Sequence, residues 1–135
     1  MEDEPSILAL MSEVLESSGH VLLKASGVEE ALHRFDEADA SIDLVIADVN
    51  LPGTSGISIA LELRSMLPNL AIVLTSGHTP DMWNQQDLAK LNELPSESVA
   101  FLEKPFLPVT LLQTVSRFVS VPFRPGVALA KAAAN

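Results

Sequence analysis

The sequence predicts an α/β layered domain with a mostly parallel sheet. Three observations carry that reading. Four short apolar runs occur at residues 20–24, 44–47, 71–74 and 99–102. Longer segments of helical period separate them, the alternation expected when crossover helices cover a parallel sheet. The chain has 135 residues, 47% of them hydrophobic, enough for one domain with a full core and too few for two. Each run is four or five residues of mainly Val, Ile, Leu, Ala or Phe, as befits strands buried on both faces.

The helices follow in order. The first places Ile7, Leu8, Leu10, Met11, Val14 and Leu15 on one stripe with Ser12, Glu13 and Glu16 opposite, and Gly19 ends it. The second covers about residues 28–38, with Ala31, Leu32 and Phe35 as its inner face. A third runs from Gly56 through Ile57, Ile59, Ala60, Leu61 and Leu63 to Pro68, a fourth spans about 81–91, and the last spans 108–119 with Pro108 as a favoured first residue. Residues 1–120 are expected to form the domain. Pro122, Pro125 and Gly126 break any helix, and the small, alanine-rich end makes 121–135 a flexible C-terminal tail, with docking to a partner as the other reading. The first element is a helix with no strand ahead of it, which would leave a gap if that strand were central.

Charge and composition exclude several function classes. Eight Lys plus Arg against 18 Asp plus Glu give a net charge of −10, the wrong sign for binding nucleic acid through clustered cations. There is no Cys, so disulfide scaffolds, thiolate zinc sites and thiol catalysis are ruled out, and a reducing cytoplasm is permitted. The apolar runs are too short to span a bilayer, and residues 1–4 are acidic where a signal peptide would be basic. A soluble, cytoplasmic chain is expected, acting without nucleic acid or membrane.

The chemistry gathers at the strand ends. Asp48 follows the second run and opens the stretch Asp48-Val-Asn-Leu-Pro-Gly-Thr-Ser-Gly56. A carboxylate at the C-terminal end of a strand points into the crevice where α/β sheets bind ligands, although an Asp that merely starts a turn reads the same way. Glu2 and Asp3 precede the first helix, Thr75 and Ser76 end the third run, and Lys104 follows the fourth. Each alone is an ordinary cap, turn or solvated charge. Together they bring three acids, a hydroxyl and an ammonium to one rim. Crowded carboxylates repel unless a cation sits between them, and an oxygen-only donor set favours a hard ion such as Mg²⁺. A phosphoryl group is the natural guest, with Asp48 as nucleophile, Lys104 neutralising its oxygens and Ser76 donating a hydrogen bond.

These motifs resemble the receiver domain of two-component response regulators: Glu2-Asp3 as the acidic pair, Asp48 with its Leu-Pro-Gly continuation, Ser76 before Gly77-His78, and Lys104-Pro105-Phe106. The match covers about residues 1–120. The resemblance implies a flavodoxin-like, doubly wound sheet of strand order 2-1-3-4-5. It implies that Asp48 accepts phosphate from a histidine kinase or histidine phosphotransfer protein, so that the chain catalyses only its own phosphorylation and dephosphorylation. Asp3 and Asp48 would bind Mg²⁺, Glu2 would act through water, and the Asn50 backbone carbonyl would be a further ligand. Ser76 and Phe101 would form the switch pair, with Phe101 read equally well as plain core; Thr75 would point elsewhere, since side chains alternate along a strand. The family also tends to a cis peptide before Pro105.

Three departures qualify the match. The family's first strand, by resemblance the central one, is missing ahead of Glu2-Asp3, as expected of a truncated record or gene start. The segment 76–104 is long, with Asn84-Gln-Gln86 and Leu94-Pro-Ser96 making the fourth helix irregular. No output domain follows, as in a single-domain regulator or a receiver cut from a larger protein. The alternative is a pseudo-receiver that binds partners without phosphorylation. An aspartate-nucleophile phosphatase would want an acid where Asn50 stands, and a flavin carrier's phosphate would be repelled by Glu2-Asp3-Glu4. His20, His33 and His78 show no metal spacing. A monomer or weak dimer is expected.

Overall fold

All four apolar runs become strands, because consecutive side chains alternate between two hydrophobic layers. A computed structural model describes residues 1–2, 4–26, 28–37, 42–51, 54–78, 83–119 and 128–132. Along the chain, helix α1 (Pro5–Ser17) leads to β1 (Val21–Ala25), α2 (Val28–Glu37) and β2 (Leu44–Asp48). A small ribbon of β3 (Asn50–Leu51) and β4 (Thr54–Ser55) precedes α3 (Gly56–Met66), β5 (Ala71–Ser76) and α4 (Gln85–Asn92). Then come β6 (Val99–Glu103), α5 (Pro108–Ser116) and β7 (Ala128–Ala132).

The main sheet has five strands in the order β1-β7-β2-β5-β6, and every pairing in it is parallel. Leu44 and Ile46 face one layer, packing with Met11, Leu15, Leu111 and Val115 of α1 and α5. Val45 and Ala47 face the other, packing with Ala31, Phe35, Ile57, Ala60 and Leu63 of α2 and α3. Helices on both faces of a parallel sheet make the flavodoxin-like, doubly wound architecture. Every residue of β2 and β5 is buried, which accounts for their uninterrupted apolar runs.

The centre of the sheet corrects the sequence reading. Ala128–Ala132, expected within a flexible tail, is a strand between β1 and β2. It lies in the position that the order 2-1-3-4-5 gives to the first strand. Alanine-rich composition signals little by itself; the open hydrogen-bonding edges of β1 and β2 on either side decide the conformation. The rest of the presumed tail, 121–127 and 133–135, lies outside the described residues.

Local signals explain the other boundaries. Gly19 adopts φ 91°, the left-handed conformation that ends α1. Ser55 caps α3 by accepting from the Ile57 N–H at 3.1 Å. Asn84, read as a source of irregularity, instead caps α4 by accepting from the Gln86 N–H at 2.7 Å, so that helix begins at Gln85 rather than near 81. Helix α5 stops at Ser116, short of the expected 119.

Candidate functional site

The rim lies at the C-terminal ends of the parallel strands. Backbone hydrogen bonds bring its residues there. The Asp48 N–H donates to the Met1 carbonyl at 2.9 Å and the Glu2 N–H to the Ala25 carbonyl at 3.2 Å, so residues 1–2 bridge the tips of β1 and β2. The Met1 nitrogen also donates to the Ile46 carbonyl. On the far side, the Val49 N–H donates to the Thr75 carbonyl at 2.9 Å and the Lys104 N–H to the Ser76 carbonyl at 2.8 Å. The Lys104-Pro105 peptide is cis.

Lys104 joins the two described acids. Its Nζ lies 2.9 Å from Asp48 Oδ2 and 2.7 Å from Glu2 Oε1, with Glu2 1% and Asp48 5% exposed. The Asp48 contact is a hydrogen bond. The Glu2 contact is an ion pair, and among the described residues the Lys104 ammonium is the one group facing buried Glu2 Oε1. Glu2 Oε2 accepts from the Glu4 N–H at 3.0 Å and Asp48 Oδ1 from the Asn50 N–H at 3.0 Å. Burial, reinforced by the Asp48 charge, pushes the Glu2 carboxyl above its usual range despite Lys104 and the Glu4 N–H. Burial alone would lower the Lys104 ammonium, but its contacts with Glu2 and Asp48 outweigh that and raise it.

The structure therefore brings together Glu2, Asp48 and Lys104, with Asn50 just beyond. Asp3 lies outside the described residues. Ser76 ends the adjacent strand, buried, its Oγ accepting from the His78 N–H at 3.0 Å. Thr75 is buried too and sits in register with Asp48. Phe101 is not core: at 48% exposed it alternates outward between buried Ala100 and Leu102. It meets Trp83 edge-on, ring centroids 5.3 Å apart, beside a cavity of about 220 Å³ that reaches Ser76.

The donor set suits a hard divalent cation. Its described groups are carboxylates and a backbone carbonyl, and the buried Glu2 Oε1 has only the Lys104 ammonium beside it among the described residues. Glu2 and Asp48 are two acids facing a single ammonium, and the raised Glu2 carboxyl reflects how poorly that burial is compensated. Among the described residues no group of three or more His, Cys, Asp or Glu is assembled.

Sequence reasoning missed two contributors. Gly56 packs so closely that a Cβ there would fall 2.0 Å from the Asp48 carbonyl oxygen; its place at the end of the Asp48–Gly56 stretch was the available signal. Trp83 donates through Nε1 to the His78 carbonyl at 3.1 Å, a role that no sequence pattern announced.

Comparison with known proteins gives one answer. The family model described as "Response regulator receiver domain" matches residues 1–116. The regulatory protein VanR of Enterococcus faecium is 30% identical over 115 residues, covering 85% of this chain and 46% of VanR. The sensor kinase CckA of Brucella abortus is 29% identical over 120 residues, covering 88% of this chain but 12% of CckA. The chain thus spans less than half the length of these curated relatives. Among solved structures, the chemotaxis protein CheY4 of Vibrio cholerae superposes with a TM-score of 0.71 at 28% identity, covering 87% of this chain and 92% of CheY4. The regulator TrrA of Thermotoga maritima, solved in complex with Mg²⁺-BeF, gives 0.67 at 29% identity over 87% of this chain and 93% of TrrA.

Proposed function

This chain belongs to the response regulator receiver domains, and from that premise we propose that it is a phosphoaccepting switch in which Asp48 takes a phosphoryl group from a phosphohistidine. The observation that carries the reading is the buried Glu2–Lys104–Asp48 cluster, with Lys104 Nζ 2.7 and 2.9 Å from the two carboxylates. An Asp48 oxygen attacks phosphorus; the new O–P bond forms as the P–N bond to the donor imidazole breaks, and the imidazole leaves with the bonding pair. The Asn50 N–H fixes Asp48 Oδ1, which orients the carboxylate for attack. Lys104 holds positive charge where phosphoryl oxygens would arrive, and Ser76 supplies a hydroxyl at the neighbouring strand end. Glu2, Asp48 and the Asn50 carbonyl would hold Mg²⁺, joined by Asp3 as the family resemblance suggests. When bound, Mg²⁺ supplies further neutralisation of the phosphoryl oxygens.

The phosphorylated state adds close to two negative charges at the rim. Lys104 and Ser76 respond by moving toward the new oxygens, and the Trp83–Phe101 contact beside Ser76 carries the change to the surface of α4 and β6. Asp48 is catalyst and substrate at once, so the chain turns over no external substrate of its own. The donor is a histidine kinase or phosphotransfer protein, encountered in the cytoplasm. Among the described residues no helix is long and apolar enough to cross a membrane. The alternative is a phosphorylation-independent interaction module, motivated by the missing first strand and the unusual fourth helix; Mg²⁺ affinity separates the two.

The test uses intact-protein mass spectrometry with Mg²⁺ and acetyl phosphate. The wild type gains one phosphoryl group and Asp48→Asn gains none. Phosphate on another residue, or on Asp48→Asn, overturns the assignment.

A further inference from the structure

Both backbone polar groups of His78 are taken by side chains. Its N–H donates to Ser76 Oγ at 3.0 Å, and its carbonyl accepts from Trp83 Nε1 at 3.1 Å. The same indole meets the Phe101 ring edge-on, centroids 5.3 Å apart. Ser76, His78, Trp83 and Phe101 all line the cavity of about 220 Å³ beside β5 and β6. Four residues are thus joined in series, from the hydroxyl at the tip of β5 to the exposed ring on β6.

Packing does little to hold the middle of this series. Gly77 and His78 are exposed, and a Cβ built on Gly77 would meet nothing within 4 Å, so the bend after β5 has open space beside it. Ser76 differs. It is 3% exposed, and its carbonyl accepts from the Lys104 N–H at 2.8 Å. With that backbone fixed, the hydroxyl has one torsion left, and a step from one staggered position to another swings its oxygen away from the His78 N–H.

The firm point of the series is therefore Trp83. Its ring packs against the core cluster that contains Ile57, Ala60 and Leu74, and the next residue, Asn84, caps α4. Anchored on both counts, the indole fixes the His78 carbonyl, and His78 in turn fixes the serine oxygen.

We propose that Trp83 is a positioning residue for the phosphoryl chemistry: acting through His78, its indole N–H parks the Ser76 hydroxyl on the His78 N–H and so slows capture of phosphate. The parking stands on the hydrogen bonds; its effect on phosphorylation rests on the phosphoacceptor reading. A parked hydroxyl must give up its bond to His78 before it serves the phosphoryl oxygens. Removing the indole N–H while keeping an aromatic ring lowers that barrier.

Trp83→Phe makes that change. In the unphosphorylated full chain, amide exchange followed by NMR should show the His78 N–H exchanging about fivefold faster in Trp83→Phe than in the wild type, the scale set by one lost neutral hydrogen bond. Ser76→Ala removes the acceptor itself and should accelerate His78 at least as much. Adding Trp83→Phe to Ser76→Ala should then change the rate by less than about twofold. An unaltered His78 rate in Trp83→Phe, or two accelerations that multiply in the double variant, would overturn the parking. With Mg²⁺ and acetyl phosphate, mass spectrometry should find Trp83→Phe phosphorylated roughly threefold faster than the wild type, with no gain in the Ser76→Ala background. A general loosening of the fold would act whether or not residue 76 carries a hydroxyl. A gain that persists in Ser76→Ala, or a Trp83→Phe rate equal to or below the wild type, therefore overturns the positioning role. A wild type that takes up no phosphate would overturn the phosphoacceptor reading and the kinetic half with it, while the exchange rates judge the parking by themselves.

Discussion

Adding a single methyl group at Gly56 tests the geometry of the rim. The Cβ of Gly56→Ala would meet the Asp48 carbonyl oxygen at 2.0 Å, its carbon at 2.7 Å and the Ala47 Cβ at 3.3 Å. The first distance is about 1 Å shorter than real Cβ contacts show, and the obstacle is backbone, not the end of a flexible side chain. Relief requires the start of α3 to move away from the end of β2, against the Gly56 N–H bond to the Val49 carbonyl at 3.0 Å and the Ser55 cap. Overpacking against adaptable side chains costs roughly 1–3 kcal/mol, and rigid backbone belongs at the upper end, about 3 kcal/mol. At roughly 4 °C per kcal/mol for a domain of this size, the midpoint should fall by about 12 °C. Thermal denaturation by circular dichroism reads this, with Gly77→Ala as the control, since a Cβ there meets nothing within 4 Å. Because Asp48 itself must shift, phosphorylation by acetyl phosphate should slow as well. A Gly56→Ala midpoint within about 2 °C of wild type would refute the close approach and the placement of Asp48 that depends on it.

Other perturbations probe the charges and the surface. Lys104→Met leaves buried Glu2 and Asp48 facing each other without a cation, which should cost on the order of 3 kcal/mol in metal-free urea denaturation, partly recovered by Mg²⁺; equal loss with and without Mg²⁺ would count against a cation site. The Glu2 carboxyl is raised in the folded state, so its stabilising contribution is present below its ordinary value of 4.5 and is lost as pH rises through the raised one. Glu2→Gln should therefore gain stability relative to the wild type as pH is raised from about 4 toward neutrality, and a difference that stays flat or falls would show that burial does not dominate at Glu2. Trp83 is the single tryptophan, so its fluorescence reports on the Phe101 contact without labels. Phosphorylation should change that emission, and Phe101→Ala should abolish most of the change while costing about 1 kcal/mol of stability. A change of full size in Phe101→Ala would place the switch elsewhere.

Much of this was readable before any coordinates. Runs such as 44–47 and 71–74 declare buried strands because both of their faces meet hydrophobic helices, and Gly19 and Pro108 mark helix ends through backbone constraints that act locally. The grouping of Asp48, Glu2 and Lys104 followed from placing each at a strand end, since a parallel sheet delivers all its C-terminal ends to one rim. What the sequence concealed was decided at long range. Nothing in Ala128–Ala132 favours a strand over coil; its conformation comes from the unpaired edges of β1 and β2. Phe101 read as core or as an inward-turning ring, yet the pleat of β6 sends it outward to Trp83. Asn84 resembled a disruption because a capping residue and a helix breaker draw on the same side chains.

The placement of β7 also decides how far apart in the sequence the partners of the sheet lie. Val21 pairs with Ala128 and Leu44 with Leu129, so the middle rung of the sheet joins early and late portions of the polypeptide. β2, β5 and β6, with the helices between them, lie in sequence between β1 and β7. Until β7 docks, the edges of β1 and β2 that it covers stay unpaired, a form prone to capture by other extended segments. Closure across so long a separation is also slow, which lengthens the period of exposure to misassembly.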